Sequence, residues 1–370
     1  MEYIMAGMNT IKSTALALTF LSLFIPLNKS FAINAQCSNC HTMHNSQDGS
    51  PMNFDNSSTP NQKLLRGDCL GCHAQNSASN VVDGVPQVLH TNVTDLAGGN
   101  FRYVVSGPTD YKGHNVSGLV AEDGTLASTP PGFSSSYDPS AGNFNTSSRL
   151  TCAGTNGCHG DRDQSDEMTA LSGGHHGDDT ILSYGAGFTL TGQGGTVGTS
   201  FRFLYKIKGA EDSDWHATWS TTDHNEYLGE IYASRGTTDA WSNMQGTISE
   251  LCSECHADYH LGGLSGDSGI GTASPWVRHP IDVIIPNSGE YASISATYSD
   301  TTPVARPSSF FSDLLASGSA TVTAGTDRLM CLSCHRAHAS NYYKSLRWDY
   351  KSGTLVTALS GCNNCHTDKD

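Results

Sequence analysis

Along most of this chain, apolar residues keep neither the helical nor the strand period for long. One continuous apolar run stands out, Thr14 to Leu27. Lys12 precedes it and Ser30-Phe31-Ala32, a small-x-small pattern, follows it. That order predicts an export signal over residues 1–32, cleaved after Ala32, with Ile33 first in the mature chain. Met8 is an alternative start, because the charged region follows it directly. The run is short for a membrane span and no other is long enough, so no transmembrane segment is expected. Beyond it, three stretches look like strands: Phe101–Val105, Ser200–Ile207 and Glu230–Ala233. Intervals rich in Gly, Ser, Thr and Asn, such as Ser134–Ser148, read as loop.

Composition sharpens the picture. Of 370 residues only 37% are hydrophobic, while 39 are glycine. Such a chain lacks the apolar side chains to fill a core of matching size, so something else must supply apolar volume. The length alone would suggest two or three domains. The formal charge is −15, and −16 once Glu2, Lys12 and Lys29 are removed with the signal. An acidic surface argues against nucleic acid and anionic membrane as partners.

The twelve cysteines identify the missing volume. In an exported protein they would ordinarily form disulfides. Their spacing points elsewhere. The pattern CxxCH occurs at Cys37/Cys40/His41, Cys69/Cys72/His73, Cys252/Cys255/His256, Cys331/Cys334/His335 and Cys362/Cys365/His366. Two thiols at this spacing bind the two vinyl groups of one haem, and the adjacent histidine reaches its iron. Zinc or disulfide use does not require a histidine after every second cysteine. Cys152 and Cys158 precede His159 in a stretched CxxxxxCH, whose Gly-Thr-Asn-Gly insert can loop out. The alternatives there are a disulfide, or a haem held by Cys158 alone. The expectation is six covalently bound haems c, with a mostly coil chain of short helices and few strands wrapped round a stacked haem column. Residues 33–370 are expected to form one elongated unit, with short helical turns carrying the motifs.

The ligand opposite each motif histidine decides between electron transfer and catalysis. Sixteen histidines leave ten beyond the motifs: His44, His90, His114, His175, His176, His216, His224, His260, His279 and His338. Six are needed for bis-histidine ligation throughout. His44 and His338 each lie three residues past a motif histidine. Three residues span at most roughly 10 Å, too little to round a haem edge, so each must serve a different haem or none. His260, four residues past His256, falls under the same argument. His90, His114 and His279 stand far enough from any motif to approach a haem from its other face. At most one of the adjacent pair His175-His176 is expected to bind.

The CxxCHxxHxS stretches from Cys37 to Ser46 and from Cys331 to Ser340, with Lys112-Gly-His114-Asn, Arg278-His279-Pro280 and the closing Cys362/Cys365/His366, resemble the OmcS-like family. These are extracellular hexahaem c-type cytochromes of metal-reducing bacteria that polymerise into conductive filaments. The resemblance covers the haem scaffold of the mature chain and departs from it at the stretched third motif. It implies bis-histidine ligation, haems stacked in line, and His44 ligating the haem at Cys331/Cys334 of an adjacent subunit. It also implies His44, His90, His114, His260, His279 and His338 as the second ligands.

The expected function is therefore long-range electron transfer outside the cell, without a catalytic residue. The partners would be further copies of the chain, other redox proteins and external acceptors. Haem motifs near both ends of the sequence suit a head-to-tail contact, which propagates unless its rotation closes. A monomeric shuttle with the same haems is the main alternative. A multihaem reductase is a weaker one, since it needs an open iron position and nearby acid–base groups. The acidic run Asp161–Glu167 reads as a solvated loop.

Overall fold

Each CxxCH needs its two thiols and its histidine on one side of the backbone, and a single helical turn provides that. Two motifs sit in α-turns, α1 (Cys37–Cys40) and α2 (Cys69–His73). The Asp68 carboxylate caps α2 by accepting from the Gly71 N–H at 2.7 Å. Two others use a tighter 3₁₀ turn, at Cys331–Ser333 and Cys362–Asn364. This computed structural model describes residues 36–107, 109–133, 144–177, 180–185, 187–231, 245–259, 279–312 and 316–367. The expected signal segment and His260 lie outside the described residues.

The other two motifs depart from the expected helical turn. Cys252 and Cys255 do not share one: the helix Ile248–Ser253 holds Cys252 and ends before Cys255, which lies in the irregular turn that follows. The Cys255 N–H still reaches the Cys252 carbonyl at 3.3 Å, a tighter closure than an α-turn makes, so the two residues stay adjacent. The stretched motif from Cys152 to His159 has no helix at all, because its insert breaks the turn.

Most of the described chain is coil. Three further helical turns are α3 (Arg102–Val105), α4 (Glu167–Ala170) and α6 (Leu355–Ala358), with the helix Ile248–Ser253 as α5 between the last two. The longest of the six has 6 residues. None among the described residues is long and apolar enough to cross a membrane. Two minimal hairpins pair β1 (Ser46–Gln47) with β2 (Ser50–Pro51) and β3 (Val81–Val82) with β4 (Val85–Pro86). Asp48-Gly49 and Asp83-Gly84 turn them, all four at positive φ, as a two-residue hairpin loop requires. A third sheet places β6 (Glu226–Leu228) between antiparallel β5 (Gly209–Ala210) and parallel β7 (Ala305–Arg306).

Two expected strands take other forms. Phe101–Val105 is helical, because Val104 turns into an apolar cluster with Phe101, Val116 and Ala339. Ser200–Ile207 is a kinked turn, with Arg202 and Phe203 at φ +49° and +59°. Of Glu230–Ala233, only Glu230 and Ile231 are described, and neither is in a strand.

Buried apolar side chains form several small groups. One joins Phe201, Ile207, Tyr227, Ile248, Ala305 and Met330, and another joins Ile285, Val304 and Val322. Ionic groups are buried as well. Arg306 is 1% exposed and donates to Glu226 at 2.8 Å and to Asp327 at 2.5 Å. The wholly buried His224 contacts Glu226 Oε1 at 3.2 Å and stacks on Tyr298. His216 sits between two carboxylates, Asp212 at 3.3 Å and Asp300 at 3.0 Å.

Candidate haem sites

Motif histidines fold back onto their own first cysteine. The histidine N–H donates to that cysteine's carbonyl at 2.8 Å for His41, 2.9 Å for His256, 3.1 Å for His335 and 2.9 Å for His366. The His256 closure onto Cys252 brackets Cys255, so the fourth motif keeps its two thiols and its histidine together although its helix ends early. The stretched motif makes the same closure, His159 N–H to Cys152 carbonyl, at 3.0 Å. Its insert is looped out: Gly157 N–H bonds to the Gly154 carbonyl, and Thr151 N–H bonds to the Asn156 carbonyl. The longer CxxxxxCH therefore ends in the geometry of the others. None of the twelve cysteines is joined to another in a disulfide, and the thiols of Cys252 and Cys255 are both half-buried. Motifs two and three adjoin, since Cys69 and Cys152 touch and Glu167 contacts both segments.

The ring nitrogens are set for metal binding. Nδ1 of His41 donates to the Lys63 carbonyl at 3.1 Å, and Nδ1 of His73 to the Pro86 carbonyl at 2.8 Å. His159 uses the Arg202 carbonyl at 3.0 Å, His256 the Pro131 carbonyl at 2.7 Å, and His335 the Lys344 carbonyl at 2.8 Å. A carbonyl only accepts, so the proton sits on Nδ1 and Nε2 keeps the lone pair that binds metal. Burial lowers the pKa of His73, His159 and His335, holding them neutral.

Three of these contacts share one device that sequence reading missed. Lys63-Leu64, Arg202-Phe203 and Lys344-Ser345 are consecutive pairs in the left-handed region. The first residue of each pair presents its carbonyl to a motif histidine, as above. The second accepts from the residue after that histidine: Thr42 N–H to Leu64 at 2.9 Å, Gly160 to Phe203 at 2.7 Å, Arg336 to Ser345 at 2.9 Å. A leucine follows each pair and bridges back, Leu65 to His41, Leu204 to Gly160 and Leu346 to His335. The shared pattern, a basic residue, any residue, then leucine, was readable at Lys63–Leu65, Arg202–Leu204 and Lys344–Leu346.

Five motif histidines face a second histidine. His41 faces His176 with ring centroids 6.0 Å apart, His73 faces His175 at 6.1 Å, and His159 faces His338 at 6.3 Å. His256 faces His114 and His366 faces His279, both at 6.0 Å. With a metal–imidazole bond of about 2.0–2.1 Å and about 1.1 Å from nitrogen to ring centroid, two imidazoles on one iron stand roughly 6 Å apart. The residues present thus fit a haem iron between each pair. Burial also lowers three of the second histidines: His114, His175 to about 4 and His338 to about 3. These rings stay neutral at ordinary pH, the form that ligates.

Chain geometry explains the pairing. His338 leaves the His335 motif and lies opposite His159. It is held by Gly98, whose carbonyl accepts from the His338 N–H at 2.7 Å. His114 runs beside it, with its N–H on the His338 carbonyl at 3.0 Å and its Nδ1 on the Ala337 carbonyl at 2.6 Å. A Cβ at Gly113 would overlap Ala339 and the His338 carbonyl, so only glycine lets these segments meet. His175 and His176, expected to supply at most one ligand, turn to different motif histidines.

His90, expected as a second ligand, is not brought opposite a motif histidine. It is wholly buried, its ring nitrogens lie 3.1 and 3.2 Å from the Asn100 amide, and it faces no motif histidine among the described residues. The remaining motif histidine, His335, has no histidine ring opposite it among the described residues. His44 is exposed beside Met43, itself 85% exposed, and faces no motif histidine of its own chain among the described residues.

The sequence is similar to that of a c-type cytochrome. It is 24% identical over 383 residues to the C-type cytochrome OmcS of Geobacter sulfurreducens, across 88% of this chain and 81% of the relative. Among solved structures, the fold is similar to the outer membrane cytochrome S filament from the same organism, with TM-score 0.44 and 17% identity. A cryo-EM structure of the OmcS nanowires gives TM-score 0.46 and 20% identity. Both similarities cover 92% of this chain and 100% of the other. No family model matches the chain.

Proposed function

We propose that this chain is a secreted electron-transfer cytochrome that carries six haems c and assembles head to tail outside the cell. Bound haem would supply the one-electron carrier. Twelve cysteines would hold the six groups in pairs, each with its motif histidine; Cys255 would pair with Cys252 from outside the helix. His176, His175, His338, His114 and His279 would be the second ligands at the first, second, third, fourth and sixth motifs. This set replaces His90, and it fills five positions without the undescribed His260. Two histidines per iron leave no position for a substrate, which favours a carrier over a reductase.

The observation that carries the assembly is one motif histidine and one exposed histidine that each lack a match among the described residues. His335 lacks a ring opposite among the described residues of its chain, and His44 is exposed without a motif partner there. His44 of one copy is therefore assigned to the His335 site of the next. OmcS, the relative in sequence, is itself described as forming nanowires. A ligand shared across copies makes assembly part of the stability of the loaded protein. The discriminating experiment is negative-stain electron microscopy of holo-protein from a host that attaches c-type haem. Filaments of regular repeat that shorten or vanish in His44→Ala support the reading. Discrete particles at high concentration sink it and favour the monomeric shuttle.

A further inference from the structure

At five motifs the histidine Nδ1–H meets a neutral backbone carbonyl. The sixth differs. Nδ1 of His366 faces a carboxylate, Oε2 of Glu290, at 3.5 Å, with the two side chains 12% and 31% exposed. The contact is built from both sides. Glu290 lies in the 3₁₀ turn Gly289–Tyr291, whose Tyr291 ring packs 5.1 Å from the His366 ring. The Glu290 carbonyl accepts from the Thr367 hydroxyl at 2.8 Å and from its N–H at 3.3 Å, which anchors the turn to the motif. On the other side of this site, His279 Nδ1 donates to its neighbouring Pro280 carbonyl at 2.8 Å, a neutral acceptor.

We infer that Glu290 is a positioning residue that lowers the reduction potential of the sixth haem. The inference rests on the bis-histidine reading of the His366–His279 pair. An imidazole bound through Nε2 keeps its proton on Nδ1. At 3.5 Å the carboxylate lies at ion-pair rather than hydrogen-bond distance, so it acts on the ring through its charge, which the neutral carbonyls at the other sites lack. A fixed negative charge beside the ligand favours ferric over ferrous iron. At the sixth site the motif histidine meets such a charge, so its haem is displaced downward by this means. In a head-to-tail assembly, one lowered station would recur in every copy.

The test is a spectroelectrochemical titration of the holo-protein, comparing the parent with Glu290→Gln. Glutamine keeps the size and a neutral oxygen acceptor but removes the charge. The expected result is that one one-electron component moves to higher potential, its ferric preference falling about tenfold, which is about 59 mV for one electron. The other five components stay in place. His279→Met marks the sixth haem independently, because a methionine ligand raises that haem's potential. The component it moves must be the one that Glu290→Gln moves. Superimposable titrations in a fully loaded, low-spin Glu290→Gln protein would overturn the inference and leave the ligand reading standing. Movement of a different component would overturn it equally. A high-spin sixth haem in the parent would instead mean that the bis-histidine reading itself has failed.

Discussion

At the scale of the residue, the adjacent histidines His175 and His176 are the densest point of the proposed ligand set. Neighbouring side chains on a turning backbone point apart, so one dipeptide can serve two irons, one on each side. If it does, His175→Ala should give a high-spin signal at the second site and His176→Ala one at the first. The double variant should show both, read by ferric low-temperature spectroscopy. A signal in only one of the single variants would contradict the shared role. His216 makes a different kind of prediction. Burial alone would lower its pKa, but the hydrogen bonds to Asp212 and Asp300 outweigh this and raise it. Arg336 and Arg347 share Asp300, while Arg202 and Glu211 pair beside Asp212 and Asp223 lies near. A raised histidine stabilises the fold fully below its unfolded pKa of about 6.5 and loses that contribution as pH rises through its folded value. The parent should therefore lose thermal stability on the alkaline side of about 6.5 more steeply than His216→Asn. Equal slopes would remove His216 from the account.

At the scale of the element, the left-handed pairs are the parts most exposed to substitution. Ser345 has φ +58°, and proline fixes φ near −65°. Ser345→Pro should destabilise the protein by more than about 1 kcal/mol and disturb the spectrum of the fifth site, whose histidine leans on Lys344. A parent-like melt and spectrum would show that the pair is dispensable. These elements also show what the sequence disclosed. The motifs were legible because attachment chemistry fixes residue types at fixed spacing, and even the stretched Cys152–His159 motif could be read. The local backbone was less legible: spacing alone did not say that the helix would stop short of Cys255. The Asp-Gly turns at Asp48 and Asp83 carry an explicit hairpin signature, yet flanking strands of two residues leave almost no alternation to detect. Ser200–Ile207 imitated a strand because its aromatic alternation serves packing on a kinked turn. Which motif histidine His90 would face was not legible either, since the contacts around it, such as the Asn100 amide, are made only in the folded chain. His175 and His176 were underrated because adjacency in sequence says little about which way two rings face.

At the scale of the whole molecule, the arrangement is a chain of paired histidines with small apolar clusters and buried ion pairs between them. This is what a sequence poor in apolar residues can build when a bound group provides the interior. The pairs are also interlocked. The segment after Cys331 brings His338 to the third site and steadies His114 at the fourth, and His175-His176 joins the first to the second. In the proposed assembly, one position is filled from outside the chain. The most direct test is the ferric low-temperature electron paramagnetic resonance spectrum of assembled holo-protein beside His44→Ala. The account predicts that the assembled parent is wholly low-spin and that the variant gains one high-spin haem per chain, at the fifth site. A wholly low-spin His44→Ala protein would show that the fifth haem finds its second ligand within its own chain, and would contradict the sharing of a ligand between copies.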